Sequence, residues 1–328
     1  MPRFVLFATI KSSYSLKTTI LLSIIIMTML TRRRKLHALK SSPLVVARLH
    51  SVHNAPPNSK IIHLLRHAQG THNICPVPDY KYPQHIDARL TPTGMDQCRL
   101  ARDATNNLEV ECIISSSMTR ALQTARYSFE GAIAMSASSS DGNRSCNDGS
   151  SENSHSMKRR KRDTKNYILS SRDNNFGSTV VKNAATTAIP VIASEHWRET
   201  VNYLCDMRRP KRSLQKDFPH VDFSLLEHEK DPLWEKYARQ YGPRHKYTDH
   251  RESIDEFALQ ERARAAWTLV AQRPERSIAI VSHRAFFRHM FERMEGQVLV
   301  FSDPEVKELL QTPFSNCELR TIAMEPLT

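Results

Sequence analysis

The chain has 328 residues, 40% of them apolar, enough for one large domain or two small ones with length left over outside any core. Its net charge of +13 would suit a nucleic-acid binder, but residues 1–60 carry ten Lys and Arg and no acid, residues 136–182 add +4, and the remainder sums to about −1. The basicity belongs to a leader and an insert, which argues against a nucleic-acid face on the folded part.

In chain order, the acid-free leader comes first. It holds an apolar run, Ile20 to Leu30, followed by Arg32-Arg33-Arg34-Lys35. The run is shorter than the roughly 20 residues that span a bilayer. An organelle transit peptide (mitochondrion or plastid) is the leading reading; a signal peptide, or a membrane anchor in contact through residues 18–35, are the alternatives. Residues 1–57 are expected to lie outside the fold, and residues 58–328 to form a single domain.

Ile61-Ile62-His63-Leu64-Leu65-Arg66-His67 reads as a buried strand ending on a histidine. A helix follows from Pro92 to about Asn107, with Thr91 as its N-cap. Strand Cys112–Ser115 precedes a helix from about Met118 to Phe129. Residues 134–182 hold a serine run and the basic pentamer Lys158-Arg159-Arg160-Lys161-Arg162 but few large apolar residues, so they read as a disordered insert. A strand around Ala188–Ala193 comes next, then a helix from about Ile254, capped by Ser253, to Gln272. Strand 277–282 also ends on a histidine, His283. A helix over 284–294 follows, and Leu319–Met324 reads as a last, edge strand. The alternation predicts an α/β three-layer sandwich with a mostly parallel central sheet and helices on both faces.

Ligands of such sheets bind where the strands end. His67 and His283 would therefore share one pocket. A neutral imidazole attacks phosphorus without help from a metal. Arg66 offers a planar fork for phosphate oxygens, Arg120 sits at a helix start, and Asn73 supplies an amide. A leaving alkoxide needs a proton from a carboxyl among apolar neighbours. Glu195 and Glu199, spaced i, i+4, are the candidates, and that spacing predicts a shared helical face. His63, His67 and His72 lack a carboxylate at metal-motif spacing, so no metal site is expected. His63, four positions before His67 on the strand, could line the pocket. The cysteines at 75, 98, 112, 146, 205 and 317 form no CxxC pair and read as buried reduced thiols. Arg208-Arg209 and Lys211-Arg212 would either contact distal phosphates or sit on an exposed loop.

Together these residues resemble the histidine phosphatase superfamily, also called phosphoglycerate mutase-like. Arg66-His67-Ala68 with Asn73 is similar to its Arg-His-Gly…Asn motif. Leu90-Thr91-Pro92-Thr93-Gly94-Met95-Asp96-Gln97 is similar to its Leu-Thr-x-x-Gly-x-x-Gln helix start. Ser116-Ser117-Met118-Thr119-Arg120-Ala121-Leu122-Gln123-Thr124-Ala125 and Val281-Ser282-His283 are similar to two further family segments. Arg198-Glu199, then Cys205-Asp206, resembles a plant- and fungal-type branch, which favours Glu199 over Glu195 as proton donor.

The resemblance implies a phosphohistidine mechanism needing neither metal nor cofactor. His67 attacks, Glu199 protonates the leaving group, and Arg66, Arg120 and His283 hold the phosphoryl oxygens, with Asn73 assisting. A phosphatase is the first expectation. A phosphoglycerate-type mutase, or a non-catalytic phosphate-binding module, are the alternatives. The expected partner is a phosphorylated small molecule or a phosphoprotein; no oligomeric state is assigned. This chain departs from the family pattern at Ala68, Gln69, Met118, Arg284 and Ala285.

Overall fold

The computed structural model describes residues 45–74, 83–137, 189–242 and 251–327. The apolar run at 20–30 and the insert from 138 onward lie outside the described residues. Among the described residues no helix is long and apolar enough to cross a membrane.

Seven strands form one sheet: β1 (Ala47–His50), β2 (Lys60–Arg66), β3 (Cys112–Ser116), β4 (Val191–Ser194), β5 (Ser277–Ser282), β6 (Leu299–Phe301) and β7 (Leu319–Pro326). Their spatial order is β4-β3-β5-β2-β7-β1-β6. β4, β3, β5 and β2 run parallel, as do β1 and β6, while β7 runs antiparallel to both β2 and β1. The sheet is mostly parallel, as expected.

Alternate residues of each strand face opposite layers. Ile62, Leu64, Ile278 and Ile280 join one apolar cluster with Trp267, Phe286, Phe287 and Phe291. Leu65, Ala279 and Val281 join the other with Ala121, Leu122, Phe129 and Phe218. The helices are α1 (Pro92–Thr105), α2 (Thr119–Ser128), α3 (Glu130–Ala137), α4 (Lys211–Asp217), α5 (Pro232–Tyr241), α6 (Glu256–Gln272), α7 (Arg284–Arg293) and α8 (Pro304–Gln311), and the named partners come mainly from α2, α6 and α7.

Four expectations are corrected. The leader does not extend to residue 57, because β1 is a sheet strand with Ala47 and Leu49 fully buried and Arg48 paired outward to Glu325 at 3.0 Å. β7 is not an edge: it lies between β2 and β1, and its Ile322, Ala323 and Met324 are fully buried. α6 is capped not by Ser253 but by Asp255, whose carboxylate accepts the Ala258 N–H at 3.2 Å. Its neighbour Glu252 turns inward instead, to pair with Arg262 at 2.9 Å. The insert starts later than 134, since α3 runs on to Ala137.

The parallel register levels the strand ends. Arg66 lies opposite Ser282, Ser115 opposite Val281, and Ser116 opposite Ser194. The residues that follow these positions therefore meet along one edge of the sheet.

If β1 belongs to the fold, Leu49→Ala lowers stability by about 2–5 kcal/mol, the cost of a cavity at a closed core position. Urea unfolding of the full chain measures this. An unchanged midpoint would return residues 45–57 to the leader.

Candidate active site

His67 follows the last residue of β2, and its N–H donates to the Ser282 carbonyl at 2.9 Å, one step beyond the β2–β5 ladder. Its Nδ1 lies 2.7 Å from the Ala68 carbonyl. A carbonyl only accepts, so Nδ1 carries the proton and Nε2 keeps a lone pair. The Ala68 N–H is itself held by Thr124 Oγ1 at 3.0 Å, and that hydroxyl donates to the Arg120 carbonyl. The His67 loop is thus tied to the first turn of α2.

His283 is the N-cap of α7. Its ring centroid lies 4.9 Å from that of His67, with the planes at 54°. His283 Nε2 bonds the Ser116 hydroxyl at 2.8 Å, and its Nδ1 has no hydrogen-bond partner. Both rings are deeply set: His67 keeps 2% of its surface and His283 none. Burial first, then the fields of Arg120 and of their charged or imidazole neighbours, hold both rings well below the ordinary value of 6.5. Neutral imidazole is the form with a free lone pair.

A third imidazole, unassigned to the pocket by sequence reasoning, stands at 5.6 Å from His67: His72. Gly70 gives it room, since a Cβ there would come within 2.8 Å of His72 Nδ1. Asn73 does not reach the pair directly. Its Nδ2 lies 3.0 Å from His72 Nε2, and its Oδ1 accepts from the Gly70 N–H at 3.0 Å. Asn316, in the turn before β7, was also missed; its Nδ2 donates to the His67 carbonyl at 3.1 Å.

Two guanidinium groups complete the anion-attracting side. Arg66 donates through Nη1 to the Phe314 carbonyl at 2.8 Å, and burial pushes it down to about 10. Arg120 donates to the Cys205 carbonyl at 2.7 Å and faces Asp206 Oδ1 at 3.4 Å. The Nε of each is buried without a hydrogen-bond partner. Asp206 was not singled out from the sequence as a site residue. Burial pushes its carboxyl up, against the opposing pull of Arg120.

The two carboxylates after β4 lie in a turn, not on a helix, so the predicted shared face is corrected. Glu195 accepts from Arg198 Nη1 at 2.7 Å and pairs with Arg208 Nε at 2.5 Å, which commits it to two buried guanidiniums. Glu199 Oε1 accepts the N–H groups of Thr200 and Phe286, both at 2.9 Å, and Oε2 accepts that of Ala285 at 3.3 Å. Glu199 therefore docks on the first turn of α7, beside His283. Backbone amides, rather than the apolar lining expected, surround it. The turn itself is fastened to β5 by the Ser282 hydroxyl, which donates to the Trp197 carbonyl at 2.7 Å.

Other candidates fall elsewhere. His63 bonds Thr321 at 3.0 Å and Ser277 at 3.2 Å, at the opposite end of the strands from His67. Arg208 is buried on backbone carbonyls, Arg209 is paired with Asp87 and Asp217, and Lys211 donates to the Leu226 carbonyl. No group of three metal-ligating side chains occurs among the described residues.

The neutral rings carry a pH signature. Unfolded histidine takes up a proton near 6.5, whereas folded His67 and His283 resist it until well below. Their contribution to stability is thus full above 6.5 and is lost as pH falls. The expected slope is up to about 1.4 kcal/mol per pH unit for each such ring. His67→Gln should flatten the loss between pH 7 and 5.5 in urea unfolding; a slope identical to wild type would show that His67 titrates normally.

A family model described as "Histidine phosphatase superfamily (branch 1)" matches residues 62–176. The chain is similar to "Phosphoglycerate mutase-like protein 1" of Arabidopsis thaliana, 31% identical over 273 residues, covering 81% of each chain. It is likewise similar to a "Phosphoglycerate mutase-like protein" of the same plant, 30% identical over 275 residues, covering 81% of this chain and 84% of the other. A solved structure of the ecdysone phosphate phosphatase from Bombix mori, in complex with tungstate, aligns with 82% of this chain and 92% of its own at 12% identity and a TM-score of 0.40. The motif order, the matching family model and this identity across most of the chain make it a member of the histidine phosphatase superfamily, among the phosphoglycerate mutase-like proteins.

Proposed function

We propose that this protein is a metal-independent phosphatase that hydrolyses a small phosphomonoester through a phosphohistidine. One observation carries the reading: two neutral imidazoles 4.9 Å apart at the strand ends, one with Nδ1 fixed on the Ala68 carbonyl so that Nε2 holds a lone pair. Glu199, beside His283, is the group placed to handle a proton.

In the first step His67 Nε2 forms a bond to phosphorus while the bond to the leaving oxygen breaks. Glu199 gives its proton to that oxygen, and the alcohol departs. In the second step Glu199 takes a proton from water, whose oxygen bonds phosphorus as the N–P bond breaks, releasing phosphate. Arg66, Arg120 and His283 favour the charge that develops on the equatorial oxygens. Asp206, facing Arg120, and Asn316, on the His67 carbonyl, act as positioning residues.

The names of the Arabidopsis relatives favour a second reading, in which the phosphoryl group returns to a phosphoglycerate instead of passing to water. Hydrolysis ranks first because a mutase needs well-ordered, water-excluding walls, and Ala68 and Arg284 alter the family pattern around both histidines. Faster transfer from the phosphoenzyme to 3-phosphoglycerate than to water would reverse that ranking.

The test uses p-nitrophenyl phosphate with EDTA present. Wild type should retain activity, and His67→Ala should lose at least about 10³-fold in kcat, as expected when a nucleophile is removed. Glu199→Gln should lose about 10²–10⁴-fold on an alkyl phosphate but far less on p-nitrophenyl phosphate, whose leaving group needs little protonation. Activity that survives His67→Ala, or vanishes with EDTA, contradicts the proposal; equal losses of Glu199→Gln on both substrates contradict the proton-donor role.

A further inference from the structure

Resting on the phosphatase reading, and deepening it, the geometry points to Arg284 as a specificity residue that binds a second anionic group on the substrate. The preferred substrate class is then a phosphomonoester that also carries a carboxylate or another phosphate.

Arg284 is the first residue of α7 and follows His283 directly. The side chain is exposed and makes no ion pair with any described residue. The other arginines of this helix behave differently: Arg288 pairs with Glu292 at 3.0 Å and Arg293 with Glu256 at 3.6 Å. The carboxylates that act on Arg66 are already committed. Glu199 accepts the amides of Ala285 and Phe286, and Glu318 is held by Arg320 at 2.6 Å.

The position also opposes the helix. The N-terminal end of a helix is the positive end of its dipole, so a cation there is disfavoured, whereas Arg293 in the last turn is favoured. A residue that breaks a local rule without a local partner calls for a non-local reason. The Arg284 backbone sits at the pocket, between His283 and Ala285, whose N–H donates to Glu199 at 3.3 Å, and its charge is among those that depress Arg66. Arg66 and Arg120 are already anchored inside on the carbonyls of Phe314 and Cys205. Arg284 is left as an outer guanidinium, free to fork onto an oxyanion further along the same molecule.

Two matched pairs separate the sources of that anion. 3-Phosphoglycerate and glycerol 3-phosphate share a phosphomonoester and differ in a carboxylate. Fructose 1,6-bisphosphate and fructose 6-phosphate differ in a phosphate. Binding of each is read by titration calorimetry on full-length His67→Ala, which prevents turnover, with and without Arg284→Gln or Arg284→Lys. In at least one pair the more anionic member should bind about tenfold tighter, the worth of one charge-assisted hydrogen bond. Arg284→Gln should bring that ratio to about one, and Arg284→Lys should keep part of it.

Thermal melting should not fall in Arg284→Gln, because a cation leaves the wrong end of a helix. No preference in either pair, a preference that survives Arg284→Gln, or no binding at all overturns the assignment. Wild-type hydrolysis of p-nitrophenyl phosphate is read in parallel. Its absence alongside an Arg284-dependent preference defeats the phosphatase reading and leaves the anion subsite standing. Its presence without any preference defeats only the subsite.

Discussion

Strand β2 pairs with β5 so that Arg66 faces Ser282, and the next N–H, that of His67, closes onto the Ser282 carbonyl at 2.9 Å. This register decides everything that follows. Side chains alternate with period 2, so a slip of one residue would send one imidazole to the opposite face. Both strands are buried on both sides, with Leu64, Leu65, Ile280 and Val281 fully enclosed, and burial of that kind resists slippage. Residues more than two hundred positions apart are brought to a ring separation of 4.9 Å by apolar packing rather than by any polar contact between them.

Charge then does what packing cannot. The imidazoles sit among Arg66 and Arg120 and stay neutral, because burial and the neighbouring cations both disfavour protonation. The guanidiniums remain charged, anchored on the carbonyls of Phe314 and Cys205 and, for Arg120, opposite Asp206. A buried cation is tolerable only with such partners. The outcome is a pocket with a positive field, uncharged imidazoles and a carboxyl group on the first turn of α7. That combination suits attack on a dianionic phosphoryl group, where a charged imidazole would have no lone pair to use.

The legible parts of the chain were those encoded locally. Apolar runs ending in His67 and His283, the Thr91-Pro92 helix start and Arg120 in the first turn of α2 each carry their signal within a few residues, and each lies where that signal pointed. The parts that misled depend on distant partners. β1 hides in a basic, acid-free stretch, and its strand character rests on pairing with β6 and β7. Whether β7 lies at an edge is a question about what sits beside it, which no window of sequence contains. Spacing leaves Glu195 and Glu199 equivalent, and only the resemblance around Arg198-Glu199 and Cys205-Asp206 favours Glu199. In the fold they are told apart by Arg208 on one side and the α7 amides on the other. His72 enters the pocket because Gly70 leaves space, and Asn316 arrives from a turn near the far end of the chain.

The proposed chemistry turns on which nitrogen of which histidine bonds phosphorus. Its most direct test is rapid quenching of full-length protein with a phosphomonoester, followed by peptide mapping and phosphorus NMR of the phosphorylated fragment. The Nδ1 bond to the Ala68 carbonyl requires the phosphoryl group to appear on Nε2 of His67. A phosphoryl group on Nδ1, on His283 or on His72 would contradict the proposed mechanism.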